Sequence, residues 1–338
     1  MMAGDQHGDG DLEPFRPPRV IAGPHRQSVA TRLPLLRPLA EKRAEELVAT
    51  STDVILDCGD GVRLHGLYAQ GHNGDNRRLA VLIHGWEGST ESLYVLSAGS
   101  RLQRMGYDVF RLNLRDHGQS HHLNKELFHS NRIKEVVGAI RRIQEIYKPE
   151  HYFLGGFSLG GNFSLRVAIR APDAGINLRK VVAVCPVLEP ASTMEALELG
   201  WFGFRQYFVR KWKRSLLAKE ACFPARYDFS GLDELKTLTQ ITEAFVEEHA
   251  GYPDMHTYLK DYAITDHVMA DLQVPSHIIF AADDPVIPVR DLRRLARSPA
   301  LDITLTAHGG HCGFVEDLTL NNWVDRQIGY LFERALEE

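Results

Sequence analysis

The chain is short of everything that marks a secreted, membrane-spanning or nucleic-acid-binding protein. It has only four cysteines, Cys58, Cys185, Cys222 and Cys312, far apart and with no C-x-x-C pair. That argues against a disulfide frame or a zinc ribbon, and four reduced, mostly buried thiols are expected. No run of about 18 apolar residues is available to cross a bilayer. The first residues, MMAGDQHGDGDLEP, are acidic and glycine-rich, without the basic start and apolar stretch of a secretory leader. A net charge of −5 gives nucleic acid no positive field to meet, so no nucleic-acid partner is expected. There is no G-x-G-x-x-G or Walker pattern, so no nucleotide cofactor is expected either. A soluble, cytoplasmic protein is the expectation these absences leave.

What is present is a core. The 338 residues are 44% hydrophobic, enough for one α/β domain with an insertion. Residues 1–14 read as disordered, and the prolines of residues 15–40 as an irregular strap. A helix is expected over 39–49. Residues 53–57 and 62–68 flank Gly59-Asp60-Gly61 as a β-hairpin. Apolar strands and helices then alternate: strands at 79–84, 107–113, 151–154, 180–184, 277–281 and 302–306, helices at 91–105, 133–147, 162–170 and 321–336. This order predicts an α/β fold with a mostly parallel central sheet and helices on both faces. Between 188 and 274 the rhythm gives way to helical, aromatic-rich sequence, expected to form a helical cap. The expected layout is a tail and strap over 1–50, a core over 51–187, the cap over 188–274 and the rest of the core over 275–338. The first cap helix, over 194–219, mixes aromatics with Arg and Lys. It reads as an amphipathic helix packed on the core with its charges in water, in preference to a peripheral membrane contact.

The richest signal is Gly156-Phe157-Ser158-Leu159-Gly160, a G-x-S-x-G run between a strand and a helix. A sharp turn there forces a serine into strained angles and exposes its hydroxyl. That hydroxyl needs a base, and the base needs an acid to orient it, in the chain order Ser, Asp, His. After the strand at 277–281 come Asp283 and Asp284, with Pro288 four residues beyond Asp284. The spacing favours Asp284, with Asp283 as the alternative. After the last strand, His308-Gly309-Gly310-His311 offers His311 as the base, with His308 as a structural residue at the strand end. The oxyanion donors should be the amides of Leu159, next to the nucleophile, and Trp86, in the loop after the strand at 79–84. His84 should fix that loop by hydrogen bonding. His117, His121 and His122 lack the spacing of a metal set, and no metal is expected.

Five runs together resemble the α/β-hydrolase superfamily and, within it, the YheT-type family: G-P-H-R-Q-S at 23–28, H-G-W-E-G-S at 84–89, G-F-S-L-G-G-N at 156–162, A-D-D-P at 282–285 and H-G-G-H-C-G-F at 308–314. The resemblance spans residues 15–335 and implies an α/β-hydrolase fold with Ser158, Asp284 and His311 as the triad. It implies carboxylic ester substrates, of short to medium acyl chain or lipid esters. One run departs: Arg115-Asp116-His117-Gly118-Gln119-Ser120 stands where family members often carry an R-G-C-S-like run, in a loop that shapes the pocket. The expected function is a serine hydrolase acting on a small ester through an acyl-enzyme. The alternatives are an acyltransferase using the same triad and a binding protein on a hydrolase scaffold. Dehalogenase and epoxide-hydrolase readings are disfavoured, because their elbow carries an aspartate.

Overall fold

The computed structural model describes residues 12–30, 37–72, 77–317, 319 and 321–338. The expected disorder of residues 1–14 therefore falls almost wholly outside the described residues. Three short helices open the chain: α1 (Pro24–Ala30), α2 (Arg37–Arg43) and α3 (Glu45–Ala49). The strap is thus less irregular than expected, because Pro24 sits at the first helical position, where its missing N–H costs nothing. The helix expected over 39–49 is two helices that meet at Ala44.

Strands β1 (Thr52–Asp57) and β2 (Arg63–Ala69) form the expected hairpin. Then follow β3 (Arg78–Ile83), α4 (Leu93–Arg104), β4 (Asp108–Leu112), α5 (Ile133–Tyr147), β5 (His151–Phe157), α6 (Leu159–Arg170) and β6 (Leu178–Val184). Four helices, α7 (Pro190–Leu199), α8 (Phe202–Cys222), α9 (Leu238–Phe245) and α10 (Met255–Asp261), separate β6 from β7 (Ser276–Ala281). Strand β8 (Leu301–Thr306) and α11 (Trp323–Glu337) close the chain.

One eight-stranded sheet has the order β1-β2-β4-β3-β5-β6-β7-β8. The β1–β2 and β2–β4 pairs are antiparallel and the others parallel. Central strands are buried on both faces, which is why they read as unbroken apolar runs. Leu79, Val81 and Ile83 of β3 join the core under α5 and α6, with Val136, Ile140 and Phe163. Ala80 and Leu82 turn to the opposite core, with Leu96 and Leu102 of α4 and Ile328 and Phe332 of α11. The parallel strands β3, β5, β7 and β8 end on one edge, and the loops leaving that edge carry the candidate residues.

Two boundaries differ from expectation for local reasons. Helix α6 starts at Leu159, not 162, because the turn from β5 takes a single residue, Ser158. The cap helix expected over 194–219 is two helices broken at Gly200. The Gly200 backbone is extended there, and a Cβ would lie 2.4 Å from the Ala196 carbonyl.

Candidate active site

Ser158 occupies the turn between β5 and α6 with φ 54° and ψ −118°. Positive φ is costly for a residue with a Cβ, and strain of this kind persists only where surroundings over-determine it. Here they do. The Ser158 amide donates to the Val184 carbonyl, and its own carbonyl accepts from the amides of Asn162 and Val187. The Asn162 side chain then donates to the Val187 and Tyr262 carbonyls at 2.9 and 2.8 Å, joining α6 to the chain beyond α10.

The structure brings Ser158, His311 and Asp284 together. His311 Nε2 lies 2.9 Å from Ser158 Oγ, and His311 Nδ1 lies 2.9 Å from Asp284 Oδ2. The side chains of His311 and Asp284 are 1% and 0% exposed, so this contact is closed to bulk water. The other Asp284 oxygen accepts from the amides of Val286 and Ile287 at 2.8 and 3.0 Å. Asp283, the alternative acid, does different work. Its Oδ1 accepts from the Gly310 amide at 2.9 Å, and its Oδ2 lies 3.4 Å from the exposed His308 ring. It ties down the loop that carries His311.

Of the two expected oxyanion donors, one opens helix α6 and the other lies in the loop after β3. Leu159 is the first residue of α6, so its amide has no acceptor within the helix. Neither that amide nor the Trp86 amide is engaged by another described residue. The neighbouring amides of the Trp86 loop are all committed. Gly85 donates to Tyr94 Oη at 3.0 Å, Glu87 to His117 Nε2 at 3.1 Å, and Gly88 to the Gly85 carbonyl at 2.9 Å.

Two buried, neutral histidines hold this loop. His84 Nδ1 donates to the Gly85 carbonyl at 2.7 Å while its Nε2 accepts from the Leu114 amide at 3.2 Å. Burial lowers its pKa to about 4. His117 Nδ1 donates to the Arg115 carbonyl at 2.7 Å, and burial holds its pKa well below the ordinary range. Burial also pushes the Glu87 carboxyl up to about 7, against the opposing pull of Lys211.

Several residues that matter here carry no motif-level signal of their own. Ser28 Oγ accepts from the His311 amide at 2.7 Å and donates to the Pro24 carbonyl at 2.7 Å. Gln27 bonds both the amide and the carbonyl of Val315. The run at 23–28 is thus the brace of the His311 loop, and its presence among the five shared runs was the only pointer to it. Lys219 of α8 reaches across to the loop after β4. Its fully buried ammonium donates to Asp116 Oδ1 and the Asn124 carbonyl at 2.7 Å, and to the Glu126 carbonyl at 3.0 Å.

An apolar cavity of about 100 Å³ opens onto Ser158 and His311. Met194 and Leu197 of α7, Phe208 and Trp212 of α8 and Phe245 of α9 line it. The Trp86 ring stacks on Phe208, with centroids 5.3 Å apart. Beyond that pair lies a wider, more polar basin of about 1000 Å³, which Trp86, Tyr94 and Phe208 also border. Among the described residues, Cys185, His311 and Cys312 form the one group with metal-ligand spacing, their ligand atoms within 4.8 Å of one another. Burial raises the Cys185 thiol well above its ordinary pKa, and a protonated thiol is a weak ligand. Both His311 nitrogens also point at other partners.

The family model for the alpha/beta hydrolase fold matches residues 80–318. The protein named "Putative esterase YheT" from Escherichia coli (strain K12) is 25% identical over 260 residues, covering 73% of this chain and 74% of that one. Phospholipase ABHD3 of Bos taurus is 20% identical over 271 residues, or 77% of this chain; the match spans 64% of the phospholipase, less than two thirds of its length. Among solved structures, esterase Pf2001 of Pyrococcus furiosus superposes with a TM-score of 0.57 at 15% identity, covering 97% of this chain and all of that one. Est1E of Butyrivibrio proteoclasticus gives 0.52 at 13% identity over 85% of this chain and 99% of its own. At these identities the structures speak for the fold.

Proposed function

We propose that this chain, which belongs to the α/β-hydrolase fold family, is a carboxylic ester hydrolase that works through an acyl-enzyme on Ser158. The observation that carries the reading is the unbroken hydrogen-bonded line from Ser158 Oγ through His311 to Asp284, beside two uncommitted amides. The names of its relatives, an esterase and a phospholipase, support ester chemistry.

In this reading His311 Nε2 takes the Ser158 proton as Oγ attacks the ester carbonyl carbon. Asp284 accepts a hydrogen bond from Nδ1–H and stays ionised, which fixes the tautomer and stabilises the imidazolium as it forms. The Leu159 and Trp86 amides hold the oxyanion of the tetrahedral intermediate, a preorganised contribution that costs no reorganisation during the reaction. Collapse breaks the bond to the alcohol oxygen, and His311 returns its proton to that leaving group. A water, deprotonated by the same nitrogen, then attacks the acyl carbon; the bond to Oγ breaks, His311 returns the proton to Ser158 and the acid is released.

The acyl group enters the apolar cavity under α7, α8 and α9. A dry cavity of about 150 Å³ takes one benzene, so about 100 Å³ suits a short acyl chain. Turnover across a p-nitrophenyl ester series should therefore fall steeply beyond the short chains. Ser158→Ala should lower kcat by up to ~10⁶ and abolish labelling by a fluorophosphonate. Turnover of p-nitrophenyl acetate by that variant near the wild-type rate would overturn the assignment.

A further inference from the structure

We infer that the corner between α7 and α8, with the outer face of α8, docks on an anionic lipid surface. The break at Gly200 turns three large apolar side chains outward within four residues: Leu199 is 79% exposed, Trp201 49% and Phe202 62%. Single exposed apolar residues need no explanation, but a cluster rimmed by charge marks an interaction site. Along α8 the exposed arc turns away from the line of Phe202, whose i+7 neighbour Val209 is buried, by roughly 60–120° at 100° per residue. Arg210, Arg214 and Leu217 are exposed there, with Tyr207 at the edge.

Charge selects the partner. Helix α8 carries six basic residues, Arg205, Arg210, Lys211, Lys213, Arg214 and Lys219, against the single acid Glu220, in a chain whose net charge is −5. Arg205 pairs with Glu198, Lys213 with Asp233 and Lys219 with Asp116. Among the described residues, Arg210 and Arg214 have neither a carboxylate nor a hydrogen-bond partner. Aromatic and leucine side chains seat at the level of lipid headgroups, and arginines beside them meet anionic headgroups. Nucleic acid would answer the arginines but leave Leu199 and Phe202 in water.

The corner is braced for docking. The His25 ring of α1 packs on Trp201 and Phe204 with centroids 5.4 and 5.8 Å away, and Trp201 meets Phe204 edge-on at 5.3 Å. The inner side of the same helix presents Phe208 and Trp212 to the cavity over Ser158. Docking therefore sets the site against the lipid surface. The amphipathic packing expected from sequence holds for the inner face of α8; the outward apolar corner is what a helix-level pattern conceals. Among the described residues no helix is long and apolar enough to cross a membrane, so the contact is peripheral.

The test is co-sedimentation of the full chain with two kinds of vesicle: phosphatidylcholine alone, and phosphatidylcholine with phosphatidylglycerol in equal parts. Binding to the mixed vesicles alone, weakened by added salt, is the expected result. Arg210→Gln/Arg214→Gln should bind about 30-fold more weakly, and Leu199→Ser/Phe202→Ser should also lose binding. Both variants change exposed side chains, and a melting temperature within a few degrees of wild type certifies their fold. Equal binding by wild type and both variants, or no binding to the mixed vesicles, overturns the inference. So does concentration-dependent dimerisation without lipid that Leu199→Ser/Phe202→Ser abolishes, which would assign the corner to a second copy of the chain. Sedimentation reads no turnover, so failure here leaves the ester-hydrolase reading untouched.

Discussion

Asp284→Asn against Asp283→Asn separates two neighbouring carboxylates that differ in partners more than in position. Asp284 Oδ1 accepts from the Val286 and Ile287 amides, and Oδ2 faces His311 Nδ1. An asparagine must keep its oxygen on the two amides, because two buried donors would otherwise be stranded. Its NH₂ group then faces His311 Nδ1, which can only accept. The imidazole proton moves to Nε2, where it meets Ser158 Oγ at 2.9 Å and can no longer take the serine proton. The fold and contacts survive while the base has the wrong tautomer. A loss of ~10⁴ in kcat is expected, which at 1.36 kcal/mol per tenfold is about 5.5 kcal/mol of barrier. Asparagine at 283 still offers an oxygen to the Gly310 amide and disturbs only the longer contact to exposed His308. It should cost less than about tenfold, one lost or weakened hydrogen bond being worth about 1 kcal/mol. The assay is kcat/KM on p-nitrophenyl acetate for both variants, with melting curves as the control for folding. An Asp283→Asn loss as deep as that of Asp284→Asn would refute the assignment, as would an Asp284→Asn enzyme within tenfold of wild type.

Three further outcomes are expected. Lys219→Met strands the buried Asp116 carboxylate, so stability should fall by about 3–5 kcal/mol; urea unfolding reads this, and adding Asp116→Asn should restore part of it. Ser28→Ala removes the acceptor of the buried His311 amide and should cost about 1–3 kcal/mol together with a drop in kcat; an unchanged melting temperature and rate would show that the brace is idle. The third concerns pH. Burial lowers both His84 and His277 from 6.5 to about 4. The unfolded chain therefore takes up protons that the folded chain refuses between these values. Their contribution to stability is complete above about pH 6.5 and lost as pH falls towards 4, at about 2 kcal/mol for each between pH 7 and pH 5. Denaturation at the two pH values reads this slope together with that of His117, which adds to it, and that of Glu87, raised to about 7, which opposes it. His277→Gln, which can keep the bond to Thr304, should flatten the slope by its share, and an unaltered slope would contradict the buried, neutral state of His277.

Much of this molecule could be read from the chain because its sheet is buried on both faces. Residues 133–147 formed the helix their apolar spacing describes, and the strand ends at Phe157, Ala281 and Thr306 put the loops that carry Ser158, Asp284 and His311 on one edge. What could not be read has one physical character: it depends on contacts distant in sequence. The Ser28–His311 bond joins residues 283 apart, and neither local periodicity nor residue type reveals such a bond. Lys219 reads as one more cation on an amphipathic helix until the fold brings Asp116 and three carbonyls around it. The cap break at Gly200 is invisible for a related reason. Glycine inside a helical pattern is tolerated at modest cost, so tertiary packing decides whether the helix runs on or turns.

The sharp turn at the elbow was expected to strain the serine, and the glycines on either side meet a separate demand of the same turn. The left-handed backbone falls on Ser158 itself; Gly156 and Gly160 do not have positive φ. Their constraint is distance. A Cβ on Gly156 would lie 2.2 Å from the Gly160 carbonyl oxygen, and one on Gly160 would lie 2.4 Å from the carbonyl oxygens of both Ile83 and His84. Gly85, in the Trp86 loop, meets the serine from the other side, with its would-be Cβ 3.0 Å from Ser158 Cβ. The glycines therefore draw the start of α6 against the ends of β5 and β3. That approach sets the Leu159 amide on α6 beside the Trp86 loop, which leaves β3. A bulkier residue at 156 or 160 would push those two elements apart, and the uncommitted amides would separate with them. The G-x-S-x-G spacing is thus a requirement on how close two backbones can come, and the strain at Ser158 follows from meeting it.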